Sequence, residues 1–236
     1  TRHKILVNLE KKFNKTAFFT SSLHLVSGKA EHIFMRVITY IDGFNLYFGM
    51  KQQFQNKYLW LDVEALSTAL LGYNQTLASV KYFTSLVTNQ PDKEKRQRTY
   101  LDALKTATGC QLFYGRYQSN IIDCKTCGSK WPSPKEKMTD VNIATQMLMD
   151  AYTDAFDTAI LVSGDTDLIP PILAIKQHFP HKKIGVAFPP QRHSLALENV
   201  VHFSVIIGKK KLRDSQLPNS ITKPGGFQLI RPSSWI

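Results

Sequence analysis

Short apolar runs of strand length recur along the chain, each separated from the next by a stretch with helical periodicity. That alternation restricts the fold more than any other feature. Strands that alternate with helices are joined by right-handed crossovers, and crossovers build a parallel sheet covered on both faces. The periodicity predicts strands over 36–41, 79–86, 111–117, 159–162, 183–188 and 202–207. Helices are expected over 44–52, 62–71, 92–106 and 140–152, then from Pro170 and Pro171 to about 178, and near 194–200. The core face of the 140–152 helix is read as Val141, Ala144, Leu148 and Ala151. Residues 121–134 read as a loop. The expected class is α/β, with a central, mostly parallel sheet and helices on both faces.

In an open parallel sheet, ligands sit in the crevice beyond the carboxyl ends of the strands. Asp42 directly follows the first strand, and Asp165 and Asp167 follow the strand 159–162 within Ser163-Gly164-Asp165-Thr166-Asp167. Asp140 opens a helix with Thr139 as its expected N-cap, and a crossover helix starts at this same edge. Carboxylates gathered this closely repel one another unless a cation sits among them. Mg²⁺ or Mn²⁺ suits such a set, being a hard ion held by a few carboxylates and able to activate water at a phosphodiester. Gly43 and Gly164 are expected to let backbone approach a phosphate. Asn45 and Ser163 are candidates for holding the attacking water or a ligand carboxylate. An Asp after a strand is often only a turn former or a helix cap, but four at one rim exceed that explanation.

The chain of 236 residues carries a net charge of +12, which favours polyanionic partners. The first 34 residues hold six basic and two acidic residues without clear periodicity, and removing their +4 leaves +8. They read as an extension before a domain that starts at Met35, or alternatively as a basic targeting arm. The domain is expected over 35–208, with a polar tail over 209–236 packing on it. Lys93, Lys95, Arg96 and Arg98 crowd the start of one helix, and Arg116 lies between Tyr114 and Tyr117. Either they grip phosphates and stack unpaired bases, or they are a solvated face and core tyrosines. Lys137 stands three residues before Asp140, within reach of a scissile phosphate.

No apolar run approaches the ~20 residues of a membrane span, so no membrane partner is expected. Three cysteines make no disulfide framework in a chain of this length and point to a reducing cytoplasm. Cys124 and Cys127 resemble half of a zinc knuckle. A Zn²⁺ site would need two more ligands, from His178, His181 or a partner chain in a homo-oligomer, and free thiols in a tight turn are the alternative. Cys110, His193 and His202 read as structural.

Three segments in order carry a family resemblance: Tyr40-Ile41-Asp42-Gly43-Phe44-Asn45-Leu46-Tyr47, Glu136-Lys137-Met138-Thr139-Asp140-Val141-Asn142, and Ser163-Gly164-Asp165-Thr166-Asp167. Together they resemble the LabA-like NYN domains, a branch of the PIN-like nucleases, from Met35 to the tail. The resemblance implies a Rossmann-like PIN fold and Mg²⁺- or Mn²⁺-dependent cleavage of RNA. It places the family's acidic positions on Asp42, Asp140, Asp165 and Asp167. Met138 departs from the small residue usual there. Two other functions suit the same residues: an RNA-binding regulatory module with little cleavage, or a small-molecule phosphohydrolase.

Overall fold

A computed structural model of the chain describes residues 34–123 and 126–235. The expectation of an extension over 1–34 falls almost wholly outside the described residues. Strand β1 (Met35–Asp42) is rich in β-branched residues, and its last six positions are buried. Strand β6 (Thr158–Val162) is buried throughout. Continuous burial marks strands covered on both faces, as parallel sheets require. Around this pair lie β2 (Gln75–Thr84), β3 (Gln111–Tyr114), β7 (Lys183–Phe188) and β8 (Phe203–Ile206), in the order β3-β2-β1-β6-β7-β8. Every pairing in this sheet is parallel. Among the described residues, the strands therefore begin mid-sheet and build outward in both directions, so β1 and β6 flank the point where the strand order reverses.

The period-two alternation of the strands divides two cores. Val37 and Ile41 pack with Leu46 of α1 (Gly43–Phe54), Leu66 of α2 (Val63–Ala69) and Leu104 of α3 (Pro91–Ala107). Ile38 and Tyr40 pack on the other face with Ile143 and Met147 of α4 (Thr139–Tyr152) and Ile172 of α5 (Ile169–His178). The short α6 (Leu195–Glu198) precedes β8. Beyond it, α7 (Lys209–Asp214) and a hairpin of β9 (Ser220–Thr222) and β10 (Gln228–Ile230) bring Leu212, Leu217, Leu229 and Trp235 into the first core. Trp60 anchors this segment by donating its indole N–H to the Pro218 carbonyl at 2.8 Å. Among the described residues, no helix is long and apolar enough to cross a membrane.

Two elements differ from the sequence expectation. Residues 121–134 are not a plain loop, because β4 (Arg116–Asp123) and β5 (Lys130–Lys137) form a separate antiparallel hairpin. Gly115 breaks the expected strand 111–117, its N–H turning to the Thr84 carbonyl at 2.8 Å. The buried face of α4 is also rotated. Ile143, Met147, Asp150 and Ala151 face inward, while Val141 is 64% and Met149 51% exposed. Asp150 accounts for the rotation: its carboxylate accepts from Lys81 Nζ at 2.7 and 2.9 Å and from the Tyr40 hydroxyl at 2.6 Å.

At the opposite, amino edge of the sheet, Arg36 bonds both Asp154 and Asp157, and the buried Lys182 bonds Asp154. The Lys182 ammonium, then the Arg36 guanidinium, hold the Asp154 carboxyl down at about 2 from its ordinary 3.8, and Arg36 lowers Asp157. A depressed carboxyl stabilises the fold above its unfolded pKa and loses that contribution as pH falls through the folded value. Stability is therefore expected to decline between about pH 4 and pH 2. Asp154→Asn should flatten part of that decline in urea melts taken across the range. Parallel slopes for the two proteins would remove Asp154 from the acid response.

Candidate metal centre

Two strand ends and one helix start supply the site. At the end of β1, Asp42 caps α1, its Oδ1 accepting from the Asn45 N–H at 3.0 Å. Its Oδ2 accepts from the Ser163 hydroxyl at 2.9 Å, across the β1–β6 boundary. The Ser163 oxygen in turn accepts from the Asp165 N–H at 3.1 Å, and Asn45 Oδ1 accepts from the Gly164 N–H at 3.0 Å. Asp165 caps a single 3₁₀ turn over Thr166–Leu168, taking the Asp167 N–H at 3.0 Å. Asn45 and Ser163 thus grip Asp42 and the backbone of the loop after β6.

Asp140 arrives from the other side, in the first turn of α4. Met138, not Thr139, occupies the cap position, in a left-handed conformation with φ 78° and no side-chain cap bond. Thr139 begins the helix itself, and its hydroxyl lies 3.5 Å from that of Ser85. A left-handed backbone costs a non-glycine residue about 1–2 kcal/mol. Met138 holds that conformation at the junction of β5 and α4, directly before the residues that place Asp140.

The result is a triad. Among the described residues, Asp140, Asp165 and Asp167 are the group of metal-ligand type whose ligand atoms all lie within 4.8 Å of one another. Burial, then the neighbouring charges of Asp165 and Asp167, raise the Asp140 carboxyl above its ordinary value. Mutual repulsion of this kind is relieved by a hard divalent cation, and oxygen-only donors suit Mg²⁺ or Mn²⁺. The donor set therefore fits such an ion. Asp42, 5% exposed, stands behind the triad and is joined to it through Ser163.

The glycines have a packing role. A Cβ at Gly164 would overlap the carbonyl oxygen of Arg192, and one at Gly43 would lie 2.7 Å from the Phe83 carbonyl oxygen. Both let protein backbone pack closely behind the carboxylates. Gly164→Ala is accordingly expected to cost about 1–3 kcal/mol of stability through overpacking. A thermal melt checks this, and an unchanged melting temperature would mean that the Arg192 loop yields freely.

The predicted basic residues fall into three groups. Lys93 and Arg96 line a cavity of about 190 Å³ between α1 and α3. Lys95 and Arg98 are exposed outside it, and Arg98 pairs with Glu94 at 2.7 Å. Arg116 and Lys137 are cross-strand partners at the base of the β4–β5 hairpin, where the chain enters α4. One residue was not foreseen. Arg192 packs its side chain against Gly164 and Gly49, and its buried Nε has no hydrogen-bond partner among the described residues. No sequence signal singles it out, because its place depends on the loop after β7 folding onto β6.

Of the candidate zinc pair, Cys124 lies outside the described residues, and Cys127 is exposed with its sulfur 3.2 Å from the Ser129 hydroxyl. Burial pushes the Cys110 thiol up to about 12, which makes it an inert core group. His193 pairs with Glu198 at 2.9 Å, and His202 accepts from the Ile184 N–H at 3.0 Å.

Comparison with known proteins gives the family and the fold. Residues 36–207 match the NYN domain. A curated relative, 6-hydroxy-3-succinoylpyridine 3-monooxygenase HspA of Pseudomonas putida, is 29% identical over 240 residues, covering 85% of this chain and 75% of its own. A crystal structure of a Vibrio parahaemolyticus protein of unknown function superposes with a TM-score of 0.54 at 21% identity, covering 80% of this chain and all of that one. It shares the fold.

Proposed function

Because this chain belongs to the NYN domain family, we propose that it is a divalent-metal-dependent endoribonuclease acting on single-stranded RNA, of the LabA-like branch. The observation that carries the reading is the convergence of Asp140, Asp165 and Asp167 on one point at the sheet's carboxyl edge, beside Asp42. When bound there, Mg²⁺ or Mn²⁺ supplies an activated water and neutralises the leaving oxygen of a phosphodiester. Asp140, Asp165 and Asp167 hold the ion, and Asp42 completes the site, its orientation fixed by Asn45 and Ser163. Arg116 and Lys137 neutralise the phosphates that flank the cut, and Arg192 braces the Ser163–Asp167 loop from behind. A cytoplasmic location goes with this reading.

The test is cleavage of labelled single-stranded RNA with Mg²⁺ or Mn²⁺ and with chelator. Cleavage with the ion and none with chelator is expected. RNA bound but left intact under both conditions would favour the regulatory module instead. Asp42-dependent hydrolysis of a phosphomonoester without any action on RNA would favour the phosphohydrolase.

The name of the Pseudomonas relative suggests one more reading, oxygenation of a small aromatic acid, and the aromatic cavity lined by Lys93 and Arg96 favours it. Oxygen uptake driven by a hydroxypyridine carboxylate together with a nicotinamide reductant, which supplies the two electrons that turn the second oxygen atom into water, in a protein inert toward RNA, would establish that reading.

A further inference from the structure

We infer that the cavity between α1 and α3 is a subsite for one unpaired nucleobase and its phosphate, next to the nucleotide being cut; this rests on the ribonuclease reading. Its walls are aromatic: Phe44 and Tyr47 from α1, Tyr82 from β2, Tyr100 from α3 and Trp235 from the end of the chain. Lys51, Lys93 and Arg96 line it, and no acidic side chain does. An aromatic slot with cations and no counter-charge matches a ligand that is both planar and anionic. A cavity of about 190 Å³ has room for a single ring system.

The polar groups of the cavity agree with a tolerant pocket. Gln97 is committed to the protein, its amide accepting from the Val87 N–H at 2.8 Å and donating to the Ser85 carbonyl at 2.9 Å. Stacking then carries the recognition, and stacking accepts any base because every base has a π-face. Lys51 sits over the Tyr47 ring at 5.7 Å, where it polarises that face and remains available to a phosphate.

Topology joins the cavity to the carboxylates. Gly43 lines it and directly follows Asp42, and Thr84, at the end of the neighbouring strand β2, lines it too. The cavity therefore opens at the carboxyl edge of β1 and β2, and the acidic triad stands at the carboxyl edge of β6, on the other side of β1. Neighbouring strands are about 4.8 Å apart, so the carboxyl ends of β2 and β6 are about 10 Å apart across β1, a span that a short run of extended RNA covers. RNA crossing the sheet edge would lay one phosphate on the triad and the next base between α1 and α3.

The test uses Tyr47→Ala and Arg96→Gln, both at partly exposed positions that the fold tolerates, with a short single-stranded RNA and the same RNA carrying one abasic nucleotide beside its cut site. Each variant is expected to raise KM for the intact RNA about tenfold with kcat little changed. Tyr47→Ala should not alter KM for the abasic RNA, whose missing base makes the aromatic wall irrelevant, whereas Arg96→Gln should raise it, because that RNA keeps its phosphate. If wild type cuts RNA and Tyr47→Ala changes KM equally for both substrates, or for neither, the subsite is wrong while the ribonuclease stands. If wild type neither binds nor cuts RNA, but takes up nicotinate in an Arg96-dependent way, the cavity is a small-molecule site and both readings fall.

Discussion

Asp140→Asn and Asp165→Asn are each expected to lower metal-dependent RNA cleavage by about a thousandfold. An amide keeps the shape of the carboxylate but not its charge, so the fold is spared while the cation loses a ligand from a set of three. Cation stabilisation of a developing charge is worth several kcal/mol, and about 4 kcal/mol corresponds to three powers of ten in rate. RNA affinity should stay level or rise, since a negative charge facing the phosphate has been removed. The metal-free variants should also melt no lower than wild type, because burial and repulsion already raise Asp140. Single-turnover rates checked against binding isotherms separate the two effects. Equal losses of binding and cleavage would mean that the carboxylates shape the surface and do not serve the chemistry.

The largest stability effect is expected away from the site. Asp150→Ala leaves Lys81, 6% exposed, with a buried ammonium and no carboxylate, and leaves the Tyr40 hydroxyl without its acceptor. Removing one partner of a buried ion pair costs about 3–5 kcal/mol. That is a large share of the 5–15 kcal/mol typical of a whole domain. Replacing both partners, as in Lys81→Met with Asp150→Leu, should recover the part of the loss due to the unpaired ammonium, because apolar groups of similar volume need no counter-charge, while the Tyr40 hydroxyl stays without its acceptor. Urea unfolding measures both, and a double variant as unstable as the single one would show that the pair does more than neutralise itself.

The same residue shows where sequence reasoning reaches its limit. Hydropathy treats Asp150 as a surface group, so the face of α4 was set by Val141 and Leu148, which are exposed. The buried partner that reverses the assignment sits 69 residues away in β2, beyond any local pattern. The β4–β5 hairpin was hidden by Pro132 and Pro134, which argue against a strand unless it lies outside the main sheet, as β5 does. Arg192 reached the site only through the packing of one loop on Gly164. What was legible was the parallel sheet and its acidic edge. The apolar runs of β1 and β6 end in Asp42 and in Ser163–Asp167 within the sequence itself, and strand direction alone sends those ends to one side.

The central claim is that these carboxylates hold a divalent cation at that edge. Crystals soaked in Mn²⁺ and measured at the manganese absorption edge test it without any assay of activity. An anomalous peak about 2.2 Å from oxygens of Asp140, Asp165 and Asp167 is expected, and it should vanish in Asp165→Asn. Peaks only at other surface carboxylates, with the triad empty at saturating Mn²⁺, would contradict the account.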